Sequence, residues 1–308
     1  MIPVIDLNSS NALQQIEDAY TTVGFAVFIN AFNTKQQHVF DLWFDQMKAF
    51  FELDIDIKNS YGYIGDTNLG YTGWGGENVD PTAPKDMKES FNYNDTRMPE
   101  HMWPVEVTGF KETARTTVVL ADDLTLRIMG MFDQILGTGS TLTDAHLTNY
   151  STTRVIKYPA YDGPIEDRQM RIGEHSDYGT LTLLWQINNI PGLEVQDLNG
   201  KWHPVPYAKN GVVCNIGDLM QRWTNDYFKS TKHRVVNSHI DQVRYSMPHF
   251  VDPAPGTIVK NLTPEPAKYE PIESLSYLKW RLAQSLSLIH ISEPTRLLSI
   301  SYAVFCLK

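Results

Sequence analysis

Three side chains in this sequence have the types and spacing of a metal site: His175, Asp177 and, 56 positions after the Asp, His233. Imidazole and carboxylate together suit divalent iron, and three protein ligands on one face of an octahedron leave three positions for a co-substrate and dioxygen. Eleven residues after His233 come Arg244 and Ser246, a guanidinium and a hydroxyl able to grip a carboxylate. With nine histidines in the chain, a single His-x-Asp triplet is weak evidence. The ordered set carries the reading.

Strands are the natural supports for these residues. Positions i and i+2 of a strand share a face, so His175 and Asp177 are expected to project together from one. The run Thr180-Leu181-Thr182-Leu183-Leu184-Trp185 just after them is rich in β-formers. His233 heads the β-branched pair Val235-Val236 and would arrive from a second strand. Arg244 to Phe250 is a further β-rich run.

At this point the chain resembles a known family, the iron(II) and 2-oxoglutarate dependent dioxygenases, in its isopenicillin N synthase-like branch. The resemblance rests on Ile2-Pro3-Val4-Ile5-Asp6-Leu7, Gly24-Phe25-Ala26-Val27-Phe28 and Lys157-Tyr158-Pro159. It continues through Gly173-Glu174-His175-Ser176-Asp177-Tyr178-Gly179, Gly192-Leu193-Glu194-Val195-Gln196, Asn215-Ile216-Gly217-Asp218, His233-Arg234-Val235-Val236 and Arg244-Tyr245-Ser246-Met247-Pro248. It covers nearly all of the chain up to about Ser285. By resemblance, His175, Asp177 and His233 hold Fe(II), while Arg244 and Ser246 hold the far carboxylate of 2-oxoglutarate with help from Tyr158. Some relatives carry a cofactor-contacting Asn two residues before that Tyr, where this chain has Ile156. One contact of the family pattern is therefore unmatched.

Composition bounds the remaining classes. Charged residues make up 20% and hydrophobic ones 42%, as in a soluble globular protein. A net charge of -10 argues against a nucleic-acid surface, which needs clustered cations, and weakens the case for an anionic membrane. No run of 18 apolar residues occurs, and the N-terminus has no basic stretch leading into an apolar one. Of the two cysteines, Cys214 lies in the apolar run Gly211-Val212-Val213-Cys214 and reads as a buried, inert small hydrophobe. A structural disulfide is not expected, and a reducing, cytoplasmic setting is. Without a coiled-coil repeat, a monomer is expected.

Taken in order, residues 1–148 read as a helical support region with an active-site covering loop. Short strands are expected at Ile2–Leu7 and Gly24–Asn30, with a cap at Asn8–Ser10 for a helix over Ala12–Val23. From Thr34 to Leu53, Val39, Leu42, Trp43, Met47, Phe50 and Phe51 recur at three- and four-residue steps, an amphipathic helix. Residues 58–103, dense in Gly, Tyr, Asn and Pro, read as a long irregular loop, and loops of that length are usually functional. In the resembled family this region partly covers the active-site mouth, so Tyr71 and Trp74 are candidate substrate contacts. Helical spacing returns over Val105–Leu136.

Residues 149–286 change to strand periodicity with turns every 8 to 12 positions, as in a jelly roll. Strands are expected at Ser151–Lys157, Leu181–Ile187, Leu193–Gln196, Trp202–Val205, Gly211–Asn215, His233–Val236 and Arg244–Val251. A closing helix is expected over Pro271–Leu286. The fold class is therefore mainly β with flanking helices around a cupin-like double-stranded β-helix. Residues 287–308 break the pattern and resemble the translation of a sequencing-library adaptor, so they read as a non-native or disordered tail. Arg171 and Arg222 are further candidates for substrate contact, and either one facing the pocket would favour an acidic substrate.

The expected activity is oxygenation of a small metabolite, with an amino-acid-derived or other carboxylate precursor as the candidate class, coupled to conversion of 2-oxoglutarate to succinate with O2. Hydroxylation, desaturation and ring closure all begin with the same hydrogen abstraction. Two rivals stand beside it. One is an iron oxidase of the isopenicillin N synthase type that needs no 2-oxo acid. The other is a catalytically silent binding protein on the same fold.

Overall fold

The computed structural model describes residues 2–290 except 66, 78–82 and 149, and for 283–290 the backbone alone. The chain begins with β1 (Val4–Asp6), α1 (Ala12–Thr22) and β2 (Phe25–Ile29). The cap expected at Asn8–Ser10 is not what starts α1. The residue before that helix is Asn11, which makes no side-chain capping bond. Helix α2 (Thr34–Phe51) has the reciprocal cap instead. Asn33 accepts from the Gln36 N–H, and the Gln36 side chain accepts from the Asn33 N–H, each at 3.0 Å. Trp43, Met47, Phe50 and Phe51 are buried as their spacing predicts, whereas Leu42 is exposed because it falls on the outer face.

Helix α3 (Ile55–Ser60) and strands β3 (Gly70–Thr72) and β4 (Glu89–Tyr93) follow, then helices α4 (Phe110–Leu136) and α5 (Thr141–His146). Part of the expected loop over 58–103 is thus sheet. β4 pairs with β5 (Thr152–Tyr158), and every residue of β4 is buried. Its Ser90-Phe91-Asn92-Tyr93 does alternate, but four residues set among Gly, Asn, Pro and charged neighbours are too short a signal to separate from the surrounding loop.

The β-rich half continues with β6 (Ile172–His175), β7 (Leu181–Gln186), β8 (Leu193–Gln196), β9 (Trp202–Pro204), β10 (Val212–Ile216) and a short helix α6 (Asp218–Trp223). Strands β11 (His233–Val235), β12 (Arg244–Val251), β13 (Ile258–Val259) and β14 (Ile272–Glu273) lead into helix α7 (Ser274–His290). The closing helix therefore starts after a short strand and runs four residues past its expected end. The remainder of the suspected tail, 291–308, lies outside the described residues.

Two sheets form the jelly-roll core. The larger has the order β1-β2-β10-β7-β12-β5-β4-β3, and the smaller β6-β11-β8-β9. Apolar side chains between them, including Phe25, Ile156, Ile172, Leu193, Val213 and Val235, make an inner core. A second, larger core lies where α1, α2 and α4 cover the outer face of the large sheet. There Trp43 meets Tyr93 and Phe110 edge-on and donates to Met247 Sδ at 3.2 Å. Helices bury one stripe and leave the other face of the sheet to line a cavity. Among the described residues no helix is long and apolar enough to cross a membrane.

Candidate metal and co-substrate site

Strands β6 and β11 run antiparallel with His175 directly opposite His233, which puts the two rings 4.3 Å apart between centroids. Asp177 does not share the strand, as its i, i+2 spacing suggested, because β6 ends at His175. Its backbone carbonyl instead accepts the Asp218 N–H at 2.8 Å, and the carboxylate turns back toward the imidazoles. The turn depends on Gly179, where a Cβ would come 2.5 Å from the Val251 carbonyl oxygen.

The ligand atoms of the three residues lie within 4.8 Å of one another. Asp177 Oδ1 is 4.0 Å from His175 Nε2 and 3.7 Å from His233 Nε2. His175 Nδ1 is 2.9 Å from the Gly173 carbonyl, and His233 Nδ1 is 3.1 Å from that of Thr231. Carbonyls only accept, so each Nδ1 carries the proton and each Nε2 keeps its lone pair toward the carboxylate. Asp177 Oδ2 accepts from Thr182 Oγ1 and Asn215 Nδ2, both at 2.7 Å, leaving Oδ1 for an ion. Burial, reinforced by the neighbouring His233 ring, pushes the His175 imidazole down to about 3. Burial alone would raise the Asp177 carboxyl, but the two imidazoles and its two hydrogen bonds outweigh that and hold it below its usual range. Two imidazole nitrogens beside a carboxylate oxygen are the donor set that a divalent ion requires.

Strand β12 supplies the second half of the site. Arg244 pairs in register with Tyr158 on β5, and Ser246 with Ile156, all four buried. Ser246 Oγ and Tyr158 Oη are 3.3 Å apart, and the Arg244 guanidinium sits 4.9 Å from the Tyr158 ring centre. Arg244 is 1% exposed, yet its Nε and one terminal nitrogen have no hydrogen-bond partner. A buried guanidinium with idle donors calls for an anion, and a carboxylate matches its fork. The residues present therefore fit both iron(II) and the 2-oxo acid.

The other sequence candidates divide. Tyr71 lines the cavity and donates to Glu89 Oε2 at 2.5 Å. Trp74 is on the outside, stacked on Tyr161, and is not part of the lining. Arg222 points away, over the Tyr269 ring with a bond to the Glu270 carbonyl, because α6 turns it outward. Arg171 is buried but lies behind Tyr158, donating to the Gln242 carbonyl at 2.6 Å. With neither arginine in the lining, the basis for an acidic substrate falls away. Thr182 and Asn215, which orient Asp177, lie in stretches the sequence marks, a β-rich run and a matched motif, but neither takes a role from them. They meet only because β7 and β10 pair in register.

A mostly β fold with this donor set and this anion cradle defines a class, non-haem iron enzymes that use a 2-oxo acid. Comparison with known proteins agrees. The model of the 2OG-Fe(II) oxygenase superfamily matches residues 144–253, and that of the non-haem dioxygenase in morphine synthesis N-terminal region matches 2–109. A full-length Neurospora crassa protein, solved in complex with alpha-KG, superposes with a TM-score of 0.82 at 30% identity, covering 92% of this chain and 96% of that one. Proline hydroxylase buaE of Petromyces alliaceus is 29% identical over 305 residues, 89% of this chain and 93% of that one. The homoarginine-6-hydroxylase 2-ODD-233 of Oryza sativa subsp. japonica is 30% identical over 261 residues, 76% of each. The chain belongs to the 2OG-Fe(II) oxygenase superfamily, an oxidoreductase with iron(II) as cofactor and 2-oxoglutarate as co-substrate.

Proposed function

We propose that His175, Asp177 and His233 hold the iron, that Arg244 and Ser246, with Tyr158, hold the far carboxylate of 2-oxoglutarate, and that the enzyme oxidises a C–H bond of a small amino-acid-derived metabolite. The observation that carries this reading is the pairing of two imidazoles and a carboxylate, clustered within ligating distance, with a buried guanidinium whose donors are idle. The proline and homoarginine in the names of two relatives support the substrate class.

When both are bound, dioxygen is reduced as 2-oxoglutarate loses carbon dioxide to become succinate, and the substrate C–H bond is oxidised. The chain supplies the arrangement. Thr182 and Asn215 fix which Asp177 oxygen faces the metal, and the two backbone carbonyls fix the imidazole tautomers. Arg244 sets the direction from which the 2-oxo acid approaches. Leu278 and Leu282 of α7 lie over the cavity and exclude water.

Anaerobic titration with ferrous iron and then 2-oxoglutarate tests the assignment through the weak visible charge-transfer band of the chelate. The band is expected in the wild type and is expected to vanish in His175→Ala and Asp177→Ala. Iron binding without a band would favour the oxidase that needs no 2-oxo acid. Failure to bind iron would favour the silent binding protein.

A further inference from the structure

The cavity has a volume of about 540 Å³, and β12 runs its length. Arg244, Ser246, Pro248 and Phe250 take alternate positions on the strand and all line it. Asp252 continues that series just past the strand's end. Antiparallel β5 accompanies it, with Tyr158 beside Arg244 at one end and Thr152 beside Phe250 at the other. At ~3.3 Å per residue, Arg244 and Asp252 are separated by roughly 26 Å of strand. The co-substrate end and the Asp252 end are different places.

Asp252 is 7% exposed, and its Oδ1 has no hydrogen-bond partner. That oxygen sits over Gly179, where an added Cβ would lie 3.0 Å from it. Arg97 is near enough to attract the carboxylate, but its donors go elsewhere. They reach the Thr67 and Ser151 carbonyls, Tyr150 Oη and Thr152 Oγ1. Burial pushes the free carboxyl up to about 7, with Arg97 opposing the rise and Asp177 adding to it. An unpartnered buried carboxyl costs several kcal/mol or stays protonated, so the folded chain carries an unmet demand for a donor at this point.

Other charges on the cavity wall are already matched. Glu77 meets Lys88 at 3.1 Å and Arg154 at 2.8 Å, and Lys88 also meets Asp86 at 3.1 Å. Asp177 faces the metal position and Arg244 the 2-oxo acid. Of the described ionisable carboxylates and cations lining the cavity, Asp252 alone has neither a bonded partner nor a cofactor to receive.

We propose that Asp252 anchors the substrate and selects metabolites carrying a protonated nitrogen, an ammonium or a guanidinium, with Phe250 and the leucines of α7 against its carbon skeleton. This rests on the reading of the site as a 2-oxoglutarate oxygenase and adds to it the charge of the substrate and the residue that reads it. A charge-assisted bond in a dry cavity is about twice as strong as a neutral one, so a cation gains more here than an alcohol of the same length.

The test uses three probes, butylammonium, butylguanidinium and 1-pentanol, titrated calorimetrically under anaerobic conditions into protein loaded with iron(II) and 2-oxoglutarate. In the wild type both cations are expected to bind at least ten-fold more tightly than the alcohol. In Asp252→Asn the three are expected to fall within about two-fold of one another, and Asp252→Glu should retain part of the preference. Wild-type protein that binds the alcohol as well as the cations, or binds neither cation measurably, overturns the proposal. So does an Asp252→Asn variant that keeps the preference. The anaerobic charge-transfer band of the iron(II) and 2-oxoglutarate chelate separates the two levels of inference. If it is present without a cation preference, only the assignment of Asp252 fails. If it is absent, the reading of the site as one that holds iron(II) and 2-oxoglutarate fails and the anchor with it.

Discussion

Replacing Arg244 by Met should move two properties in opposite directions. In the protein without 2-oxoglutarate the guanidinium is buried with two nitrogens lacking acceptors. Leaving a buried donor unsatisfied costs about 1–3 kcal/mol, so the pair costs about 2–6 kcal/mol. Met has similar length and no donors, and its imperfect fit returns about 1–3 kcal/mol of that. Taking the middle of each range, about 4 less about 2 kcal/mol, the net gain is about 2 kcal/mol, which at ~2–4 °C per kcal/mol is a Tm rise of roughly 4–8 °C. Binding should suffer in the other direction. Losing one partner of a buried charge pair costs about 2–5 kcal/mol, which is roughly a 30- to 5,000-fold weaker Kd for 2-oxoglutarate. Scanning calorimetry of both proteins with and without the 2-oxo acid reads the first effect, and anaerobic titration calorimetry in the presence of iron(II) reads the second. A variant with a lower Tm than the ligand-free wild type, or one that binds 2-oxoglutarate normally, would refute the argument that this guanidinium is held in waiting for a carboxylate.

Asn215→Ala removes one of the two hydrogen bonds that orient Asp177 and should weaken iron binding about 10- to 100-fold in a ferrous titration, with little change in the far-UV spectrum. Chelation by EDTA should abolish succinate release, and added iron(II) should restore it while magnesium does not. Asp252→Asn should stabilise the protein in a pH-dependent way. The folded pKa of Asp252 is raised to about 7, so the favourable share of this group is present below its unfolded value near 3.8 and is lost as pH rises through 7. The variant's advantage in urea denaturation should therefore be near zero at pH 4 and on the order of 4 kcal/mol at pH 8. An equal advantage at both pH values would contradict the buried, unpartnered state of the carboxyl. Trp43→Ala should cost about 3–5 kcal/mol in the same assay, since the indole is fully buried among Tyr93, Phe110 and Met247.

How much of this was legible in the sequence follows from the range over which each feature is encoded. The apolar steps of α2 and the strand run at 181–186 are local patterns, and a helix and a strand stand where they point, while His175, Asp177, His233 and Arg244, singled out by their order along the chain, come to line one cavity. Strand β4 was hidden because its alternation, Ser90-Phe91-Asn92-Tyr93, is only four residues long and lies inside a stretch dense in loop-forming residues. Asp177 lies past the end of its strand because a turn built on Gly179, not the period of a strand, aims its carboxylate. Arg171 and Arg222 looked like pocket residues because they sit near the ligands in sequence, whereas side-chain direction sends one behind Tyr158 and the other to the surface. Asn215 opens one of the matched motifs yet takes no role from it, and Asp252 gave no signal, since what singles them out is a neighbour or the lack of one, and both are properties of packing.

The alternation along β12 also bears on how such an enzyme changes its diet. Positions far apart on one strand, with no shared partner, combine nearly independently in their effects. On the proposed roles, retargeting would proceed by point changes at Phe250 and Asp252 while Arg244 and Ser246 went on accepting the same 2-oxo acid, and the two ends could be varied in separate libraries and then joined. A deletion of one residue between them is a different event. It would reverse the facing of everything beyond it, taking Phe250 and Asp252 off the cavity wall together, so along this strand lineages are expected to diverge by substitution and not by change of length.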